Sequence, residues 1–560
     1  QSKRSWISQD CLVTGCLVWQ CTVLLEKHLL QSRHCKRSDL LVDLPDGTVQ
    51  GVETVTEKYT YYSYRGIPFA KPPLGNLRFQ APVPNEPWAG ILDATEYKSC
   101  CLSMTFSVDE PQQSEDCLYV NVYTPPRNIT EKLPVMLSIY GGAFGTGCAA
   151  ATVSDPHPLV AEDVIVVSFN YRVGLYGFLS TNDSVILGNA GLKDQLLAMK
   201  WTQKNIEFFG GDPDKVTIFG ASAGGISVGM HVANKKSTGL FRAAICQSGC
   251  ALTRLSSTSQ LDPKKAAYDI ARSINPLISQ SSEEIRDFLQ SVPADVLTNA
   301  YNANPQTGPI IEVDDENAYI TEPQFHSIES GNFNQVPLMI GTTAAELLTF
   351  YGLLWAELIA IALSFDLNEE SLIPFSLNPL PGTNLTKVAG LIKQAYSDNE
   401  SFVLNLGPFI EFASDTDFVR SSLKHAELQS NYTPVYFYQF SYSGPVGQFH
   451  VIVDGAGKTG HGEDEMYLLD VPLFQLTTEE EFLTRRRMAR LWTNFAKTLN
   501  PTPDETDPLL NVTWPQVSGS NIPYLDIDAT LLVKPGKKVK EMAMWNEVFY
   551  KYGQKPFLGF

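Results

Sequence analysis

The stretch "VTIFGASAGG" (residues 216–225) has the residue types of a turn that presents a nucleophile. Its four apolar or β-branched residues predict a buried strand, and the small residues after them predict a tight turn. Gly220 and Gly224 stand two positions either side of Ser222, which gives the G-x-S-x-G pattern of a serine between a strand and a helix. Because such pentapeptides also occur by chance, Ser222 needs partners elsewhere in the chain.

A catalytic serine needs a base, and the chain contains eight histidines. His461, in "GKTGHGEDEMYLLD", has Gly460 and Gly462 on either side and lies on a predicted loop after a strand. His28 and His34 are close to the N-terminus. The other five lie beside no recognisable motif: His157, His231, His326, His425 and His450. A loop histidine is more often a surface residue than a catalyst, and only its context favours His461.

An acid and oxyanion donors can complete the set. "VPLMIGTTAAE" ends a predicted strand, turns at Gly341 and places Glu346 shortly after the turn. The order Ser222, Glu346, His461 is the Ser–acid–His order of α/β-hydrolases, although Glu346 could also be a solvated loop carboxylate. In "YGGAF" (140–144), the glycines allow backbone N–H groups to approach a developing oxyanion, although a plain strand-end turn would look similar. Together these segments point to acyl transfer.

The elements that must position these residues alternate along the chain. Strands alternating with helices predict an α/β fold, with a mostly parallel sheet that has helices on both faces and its chemistry at the carboxyl ends of strands. The predicted strands are 134–140, 163–171, 215–219, 336–340 and 434–440. The predicted helices are 193–209 and 479–499, and in the second we expect Glu481 and Arg485 to pair on the solvated face.

Composition limits the classes of function. The hydrophobic content of 44% is that of a globular protein, and the net charge of −19 argues against nucleic acid or an acidic membrane surface as a partner. The ten cysteines and the glycosylation sequons predict a secreted, extracellular glycoprotein. The sequons begin at Asn128, Asn182, Asn384, Asn399, Asn431 and Asn511.

Residues 1–38 are predicted to be separate from a single domain over 39–560. Their apolar run "CLVTGCLVWQCTVLL" (11–25) is similar to a signal-peptide core and is too short to span a membrane. An incomplete or mistranslated start explains the run equally well. No other stretch predicts a membrane span.

The combined segments resemble the type-B carboxylesterase/lipase family, which includes cholinesterases, bile-salt-activated lipase and insect juvenile hormone esterases. The resemblance covers roughly residues 40 to 560, and "GHGEDEMYLL" is most similar to insect carboxylesterases. The other matching blocks are residues 64–84, 114–125, 169–181, 188–195, 205–225 and 491–503. The resemblance implies an α/β-hydrolase fold and the hydrolysis of a small ester, with no cofactor or metal.

The resemblance also implies a role for each site residue. Ser222 is the nucleophile, His461 the general base and Glu346 the carboxylate that holds His461. The oxyanion hole is formed by the backbone N–H groups of Gly142, Ala143 and Ala223. Asp464 matches an acidic family position and is expected to support the loop rather than react. Two buried ion pairs are implied: Arg78 with Glu115, and Arg172 with Asp194.

Among the cysteines, the resemblance implies a disulfide between Cys101 and Cys117, with Cys100 as a rival for Cys101. The family's usual second disulfide has no evident pair, and Cys246 and Cys250 are expected to be buried thiols.

One position departs from the family pattern, because Ala221 precedes the nucleophile where many members have Glu and juvenile hormone esterases commonly have Gln. This argues against a juvenile hormone esterase, which stays the alternative within the enzyme class. The loop 102–116 contains no Trp for binding choline, which argues against a cholinesterase. The apolar segment 347–363 is expected to line a pocket for lipophilic esters or to form a buried helix.

The preferred interpretation is a secreted esterase for uncharged, fairly apolar esters. The alternative from another class is a non-catalytic, cholinesterase-like adhesion or binding protein. Such relatives typically lack a triad member, whereas this chain has all three. Stoichiometric sequestration of an acylating compound is a third possibility.

Overall fold

The computed structural model describes residues 33–35, 40–56, 59–103, 112–126, 131–150, 154–256, 262–302, 307–447, 450–472 and 474–560. Runs of β-branched and apolar residues form the strands at its centre. The strands are β1 Arg33–Cys35, β2 Leu41–Leu44, β3 Gly47–Gln50, β4 Val52–Val55, β5 Thr60–Pro68, β6 Ile91–Asp93, β7 Cys100–Cys101, β8 Gln113–Ser114, β9 Tyr119–Thr124, β10 Leu133–Ser138, β11 Ile165–Phe169, β12 Gly211–Ala221, β13 Ala243–Gln247, β14 Leu338–Thr343, β15 Val435–Phe440, β16 Tyr524–Ile527 and β17 Leu531–Lys534.

Twelve of these strands form one sheet, in the order β1-β4-β5-β9-β11-β10-β12-β13-β14-β15-β16-β17. All six neighbouring pairs from β11 to β16 are parallel, and the outer pairs are antiparallel. Two smaller sheets join β2-β3-β6 and β7-β8. The carboxyl ends of β10, β12, β13 and β14 therefore lie side by side at one edge, where chemistry is expected in such sheets.

Helices pack on both faces of the sheet. They are α1 His157–Val160, α2 Gly174–Phe178, α3 Ala190–Asn205, α4 Ala223–Ala233, α5 Pro263–Ile274, α6 Ser282–Ser291, α7 Ala294–Asn302, α8 Gln324–Glu329, α9 Leu348–Tyr351, α10 Trp355–Leu367, α11 Leu385–Ser397, α12 Leu406–Ser414, α13 Arg420–Gln429, α14 Glu463–Leu468, α15 Glu479–Thr498 and α16 Val539–Tyr552. Alternate residues of each central strand contribute to separate cores, one with α3, α4 and α16 and the other with α1 and α15. The predicted α/β-hydrolase architecture is confirmed.

The predicted central strands and both helices are present, but the expected Glu481–Arg485 pair is wrong. Glu481 is buried and forms a capping box with Thr478 at the start of α15, in which each side chain bonds the other's backbone. Arg485 instead donates from Nη1 to Asp470 Oδ1 at 2.8 Å. Two charged side chains one helical turn apart pair with each other only when neither forms a stronger contact with another residue.

The family-implied ion pairs and disulfide are present. Arg78 Nε lies 2.6 Å from Glu115 Oε1, and Arg172 Nη2 lies 2.7 Å from Asp194 Oδ1. The cysteine bonds are Cys101–Cys117 and Cys100–Cys148, and the buried free cysteines are Cys246 and Cys250. The Cys100–Cys148 bond was not predicted, because the two residues are 48 positions apart in sequence and meet only in the fold.

Most of the predicted N-terminal segment 1–38 and the sequon at Asn128 lie outside the described residues. The other five predicted glycosylation sites have exposed asparagines. No helix in the described ranges is long and apolar enough to cross a membrane.

Candidate active site

Ser222 lies in a strained turn between β12 and α4. Its backbone angles are φ 57° and ψ −126°, a region that residues with a Cβ rarely adopt. Gly220 and Gly224 allow this turn, because a Cβ on either residue would overlap the carbonyl oxygen of Ile139, which directly follows β10. The partly exposed serine side chain is thereby presented at the carboxyl end of the strand, as the sequence predicted.

Glu346 and His461 meet across 115 residues of sequence. Glu346 Oε2 lies 2.6 Å from His461 Nδ1, and the Glu346 side chain is fully buried. The Glu346 carbonyl also accepts a hydrogen bond from His461 N at 3.1 Å. The ring and backbone of His461 are therefore both tied to Glu346, which fixes Nδ1 as the nitrogen that faces the carboxylate.

The second oxygen of Glu346 is held by two donors that the sequence analysis missed. Ser248 Oγ donates to Glu346 Oε1 at 2.7 Å, and Thr343 N donates to the same oxygen at 2.8 Å. Ser248 follows β13 and Thr343 ends β14, so neighbouring strand ends converge on the carboxylate. The hydroxyl of a serine in "QSGC" carries no local signal of such a role.

The other nitrogen of His461 makes no hydrogen bond in the described part of the chain. His461 Nε2 is buried and has no hydrogen-bond partner among the described residues. The ring contacts Phe418 and Phe350, with centroids 4.4 Å and 5.2 Å away, and the two phenylalanine rings stack on each other at 6.4 Å. Phe418 lies on a π-helical turn, Asp415–Val419, and such turns are frequent at functional sites. The ring is thus held by aromatic contacts, while Nε2 makes no hydrogen bond within the described structure.

The nucleophile turn and the His461 loop are linked through Gln247. The Gln247 carbonyl accepts the backbone N–H of Ser222 at 2.8 Å. Its side chain donates from Nε2 to Asp464 Oδ2 at 3.0 Å, and Tyr438 donates to the same oxygen at 2.8 Å. Asp464 is in α14, just after His461, and supports this network as expected.

The predicted oxyanion segment runs beside the nucleophile. A Cβ on Gly141 would lie 3.1 Å from Ser222 Cβ. Three consecutive residues have positive φ, with 107° at Gly142, 52° at Ala143 and 60° at Phe144. The Phe144 carbonyl is held by Gly174 N at 2.6 Å, and such outside contacts maintain a strained backbone.

Two further features adjoin this segment. Cys148, four residues beyond Phe144, is fixed by its disulfide to Cys100. Ala223 is the first residue of α4, where backbone N–H groups have no acceptor within the helix.

Ala221 is buried behind the nucleophile, with no side-chain polar atom to contribute there.

The apolar segment 347–363 divides into two parts. Phe350 in α9 contacts the His461 ring, so this part adjoins the site. In α10, however, Trp355, Ile359 and Leu363 are between 43% and 48% exposed. The expectation of a buried helix is therefore wrong, because the apolar residues at every fourth position face outward rather than toward the core.

Comparison with known proteins identifies the family of the chain. The carboxylesterase family model matches residues 38–545. Pyrethroid hydrolase Ces2e of Rattus norvegicus is 32% identical, covering 90% of this chain and 88% of that protein. Juvenile hormone esterase of Tribolium castaneum is 33% identical, covering 84% of each.

A solved structure matches as well. Juvenile hormone esterase of Manduca sexta, with OTFP covalently attached, superposes with a TM-score of 0.79 at 29% identity, covering 91% of this chain and 99% of that one. The chain belongs to the carboxylesterase family, whose members are carboxylic ester hydrolases with the α/β-hydrolase fold.

Proposed function

We propose that the protein is a serine carboxylesterase that cleaves uncharged, fairly apolar esters through an acyl-enzyme on Ser222. The observation that carries this proposal is the open Nε2 of His461, whose Nδ1 is held by buried Glu346 at 2.6 Å. The strained Ser222 turn is connected to this pair by hydrogen bonds of two adjacent residues, Gln247 and Ser248. A histidine with one oriented nitrogen and one open nitrogen is arranged to accept a serine proton.

In the first step, Ser222 Oγ attacks the ester carbonyl and His461 Nε2 takes the hydroxyl proton. Glu346 stabilises the imidazolium that forms. His461 then gives the proton to the alkoxide leaving group, and the acyl group remains on Ser222. In the second step, water loses a proton to His461 and attacks the acyl-enzyme, which releases the carboxylic acid and restores Ser222.

The negative charge on the carbonyl oxygen needs donors in both steps. We assign these to the backbone N–H groups of Gly142, Ala143 and Ala223, because the first two lie on the fixed loop beside Ser222 and the third begins α4. Each such donor is worth about 3–4 kcal/mol of transition-state stabilisation. Donors that are fixed in advance require no reorganisation during the reaction.

Two observations support apolar substrates. Phe350 and Phe418 both contact the ring of the base, which makes its surroundings aromatic and apolar. Two relatives are named as a pyrethroid hydrolase and a juvenile hormone esterase, which favours apolar esters as substrates of this chain as well. We further propose that the protein is secreted and glycosylated, because its described residues contain two disulfides and five exposed sequon asparagines.

The test is hydrolysis of p-nitrophenyl esters from acetate to octanoate by the wild type and by Ser222→Ala. Activity that vanishes in Ser222→Ala but persists in the control Ser330→Ala, an exposed serine, supports the proposal. The chain-length optimum then measures the acyl pocket. A folded wild type with no activity would favour the non-catalytic binding protein, and a burst followed by slow release would favour sequestration.

A second candidate, juvenile hormone esterase, is favoured by the similarity to two such enzymes at 33% and 29% identity. Ala221 argues against this candidate, because juvenile hormone esterases commonly have Gln at the position before the nucleophile. Hydrolysis of a juvenile hormone methyl ester with a kcat/KM well above that of p-nitrophenyl butyrate would support the candidate. A preference in the opposite direction would leave the general esterase.

A further inference from the structure

A second histidine–glutamate pair lies close to His461. His450 Nε2 is 2.8 Å from Glu463 Oε1, and their side chains are 2% and 0% exposed. Neither residue belongs to the proposed triad. The sequence around His450 gave no signal, because its partner is 13 positions away and the two meet only through the intervening loop.

Glu463 is bonded to the backbone that carries His461. Its Oε1 also accepts a hydrogen bond from Gly460 N, at 2.6 Å, and Gly460 immediately precedes His461. On the other side, Thr349 Oγ1 donates to the His461 carbonyl at 3.0 Å. A Cβ on Gly460 would overlap Thr349 Oγ1, so a glycine is needed for this close packing. The backbone of His461 is therefore held from both sides.

The fold makes specific room for the Glu463 carboxylate. A Cβ on Gly447 would overlap Glu463 Oε2, which is buried without a hydrogen-bond partner in the described part of the chain. The charged and titratable groups that act on Glu463 from α14 are Asp464 and Tyr467. A buried carboxylate beside another acidic residue is costly unless it is neutralised, and His450 supplies that partner.

The hydrogen bonds of His450 determine how many protons the pair holds. Its Nδ1 faces the Val451 carbonyl at 3.1 Å, and its Nε2 faces a carboxylate, so both nitrogens meet oxygens. Both contacts are satisfied when the pair is imidazolium and carboxylate, or neutral imidazole and carboxylic acid. In either form the net charge of the pair is zero.

The electrostatics agree with this proton count. Burial lowers the pKa of His450, but its hydrogen bonds to Glu463 and to the Val451 carbonyl outweigh burial and leave that pKa above its ordinary value. Burial raises the pKa of Glu463, and the bond from His450 only partly offsets the increase. Both shifts therefore favour a proton shared between the two side chains.

We propose that His450 and Glu463 form a positioning pair for catalysis, which fixes Gly460 and through it the orientation of the His461 ring. The inference rests on the proposed function, since it concerns the rate only if His461 is the base. Neither residue touches the reacting atoms. Displacing the base lowers the rate of the chemical step rather than the affinity for substrate. Disruption of the pair is therefore expected to change kcat more than KM.

The test compares His450→Gln and Glu463→Gln with the control His425→Gln. His425 is another fully buried histidine, bonded through Nε2 to Gln429 Oε1 at 3.1 Å, with no hydrogen bond to a site residue in the described structure. Kcat and KM for p-nitrophenyl butyrate are measured together with Tm. We expect both pair variants to lose about 10- to 100-fold in kcat, with KM within about twofold, whereas the control loses Tm but retains kcat.

Two outcomes would overturn the proposal: kcat unchanged in both pair variants, or a loss of kcat no greater than in the control at matched loss of Tm. If His450→Gln does not fold, the near-isosteric Glu463→Gln decides alone. The double variant should lose no more than the worse single variant, because the two residues act as one unit.

Labelling separates this inference from the proposed function. Diethyl p-nitrophenyl phosphate should phosphorylate the wild type at Ser222, and both pair variants at that site more slowly. A wild type that is not labelled contradicts the proposed function itself. A labelled, active wild type with equally fast pair variants contradicts only the positioning role.

Discussion

Two histidine–glutamate pairs lie near each other, and their histidines differ in what the second ring nitrogen contacts. In both, a ring nitrogen is within 2.6–2.8 Å of a buried glutamate oxygen. His450 uses its second nitrogen on the Val451 carbonyl, whereas His461 Nε2 has no partner among the described residues. Closeness to a carboxylate and burial are thus common to both pairs. The open nitrogen separates a base from a positioning residue.

The two glutamates differ in the opposite sense, because here the unpartnered atom belongs to the second pair. One oxygen of Glu346 accepts hydrogen bonds from Ser248 and Thr343, and the other faces His461 Nδ1. Glu463 uses one oxygen for both His450 and Gly460, and leaves the other without a hydrogen bond in the described structure. The first arrangement orients a ring that must change its charge during reaction. The second connects a histidine–carboxylate pair to the backbone N–H of Gly460.

The largest effect should come from neutralising each glutamate in turn. Glu346→Gln should lower kcat by about 10⁴-fold, because an amide that donates to Nδ1 favours the wrong tautomer of His461. Glu463→Gln should lower it by no more than about 100-fold, because it displaces the base without changing the tautomer. Steady-state kinetics on p-nitrophenyl butyrate measure both. Equal losses would mean that the two pairs do not differ in role.

The next effect should come from the hydroxyl that holds Glu346. Ser248→Ala removes one of the two donors to Glu346 Oε1 and leaves Thr343 N in place. We expect kcat to fall about 10-fold, since a hydrogen bond to a charged group is worth about 1.5–3 kcal/mol. KM should change little. A wild-type kcat in a folded Ser248→Ala protein would show that Thr343 alone is sufficient.

A smaller effect is expected on the opposite side of His461. Thr349→Val removes the hydroxyl that donates to the His461 carbonyl, while its shape is preserved. A loss of about twofold to fivefold in kcat corresponds to one neutral hydrogen bond. In the double variant with Glu463→Gln, the losses should not be additive, because both contacts hold the same backbone. Strict additivity would mean that they act independently.

The parts of the site that could be predicted from sequence are those with local signals. Small residues around Ser222 mark a turn that only such residues permit, and chain order points to Glu346 and His461. Alternating apolar runs likewise predict the central sheet, and the family resemblance supplied the Arg78–Glu115 and Arg172–Asp194 pairs.

What could not be predicted depends on contacts between distant segments. Cys148 meets Cys100, and His450 meets Glu463, only after the loops around the sheet are in place. Single-sequence patterns carry no information on such meetings. The outward face of α10 was missed for a related reason: an apolar helix looks the same in sequence whether its side chains face the core or the surface.

The smallest predicted effect concerns a third acidic residue of α14 and tests whether it differs from Glu463. Glu465 is half-buried, and burial raises its pKa from 4.5 to about 7. The folded protein therefore holds a proton that the unfolded chain releases near pH 4.5. The stability from this group is fully present below that pH and is lost as the pH rises through about 7.

Glu465→Gln keeps the neutral form at every pH. The Tm of the variant minus the Tm of the wild type should therefore be larger at pH 8 than at pH 5. Thermal unfolding of both proteins at both pH values measures this difference. Other buried groups that titrate in this range, such as Asp415 with a pKa raised to about 6 by burial, are present in both proteins and cancel in the comparison. A Tm difference that is the same at both pH values would contradict the prediction. It would mean that Glu465, unlike Glu463, keeps an ordinary ionised carboxylate through its contact with solvent.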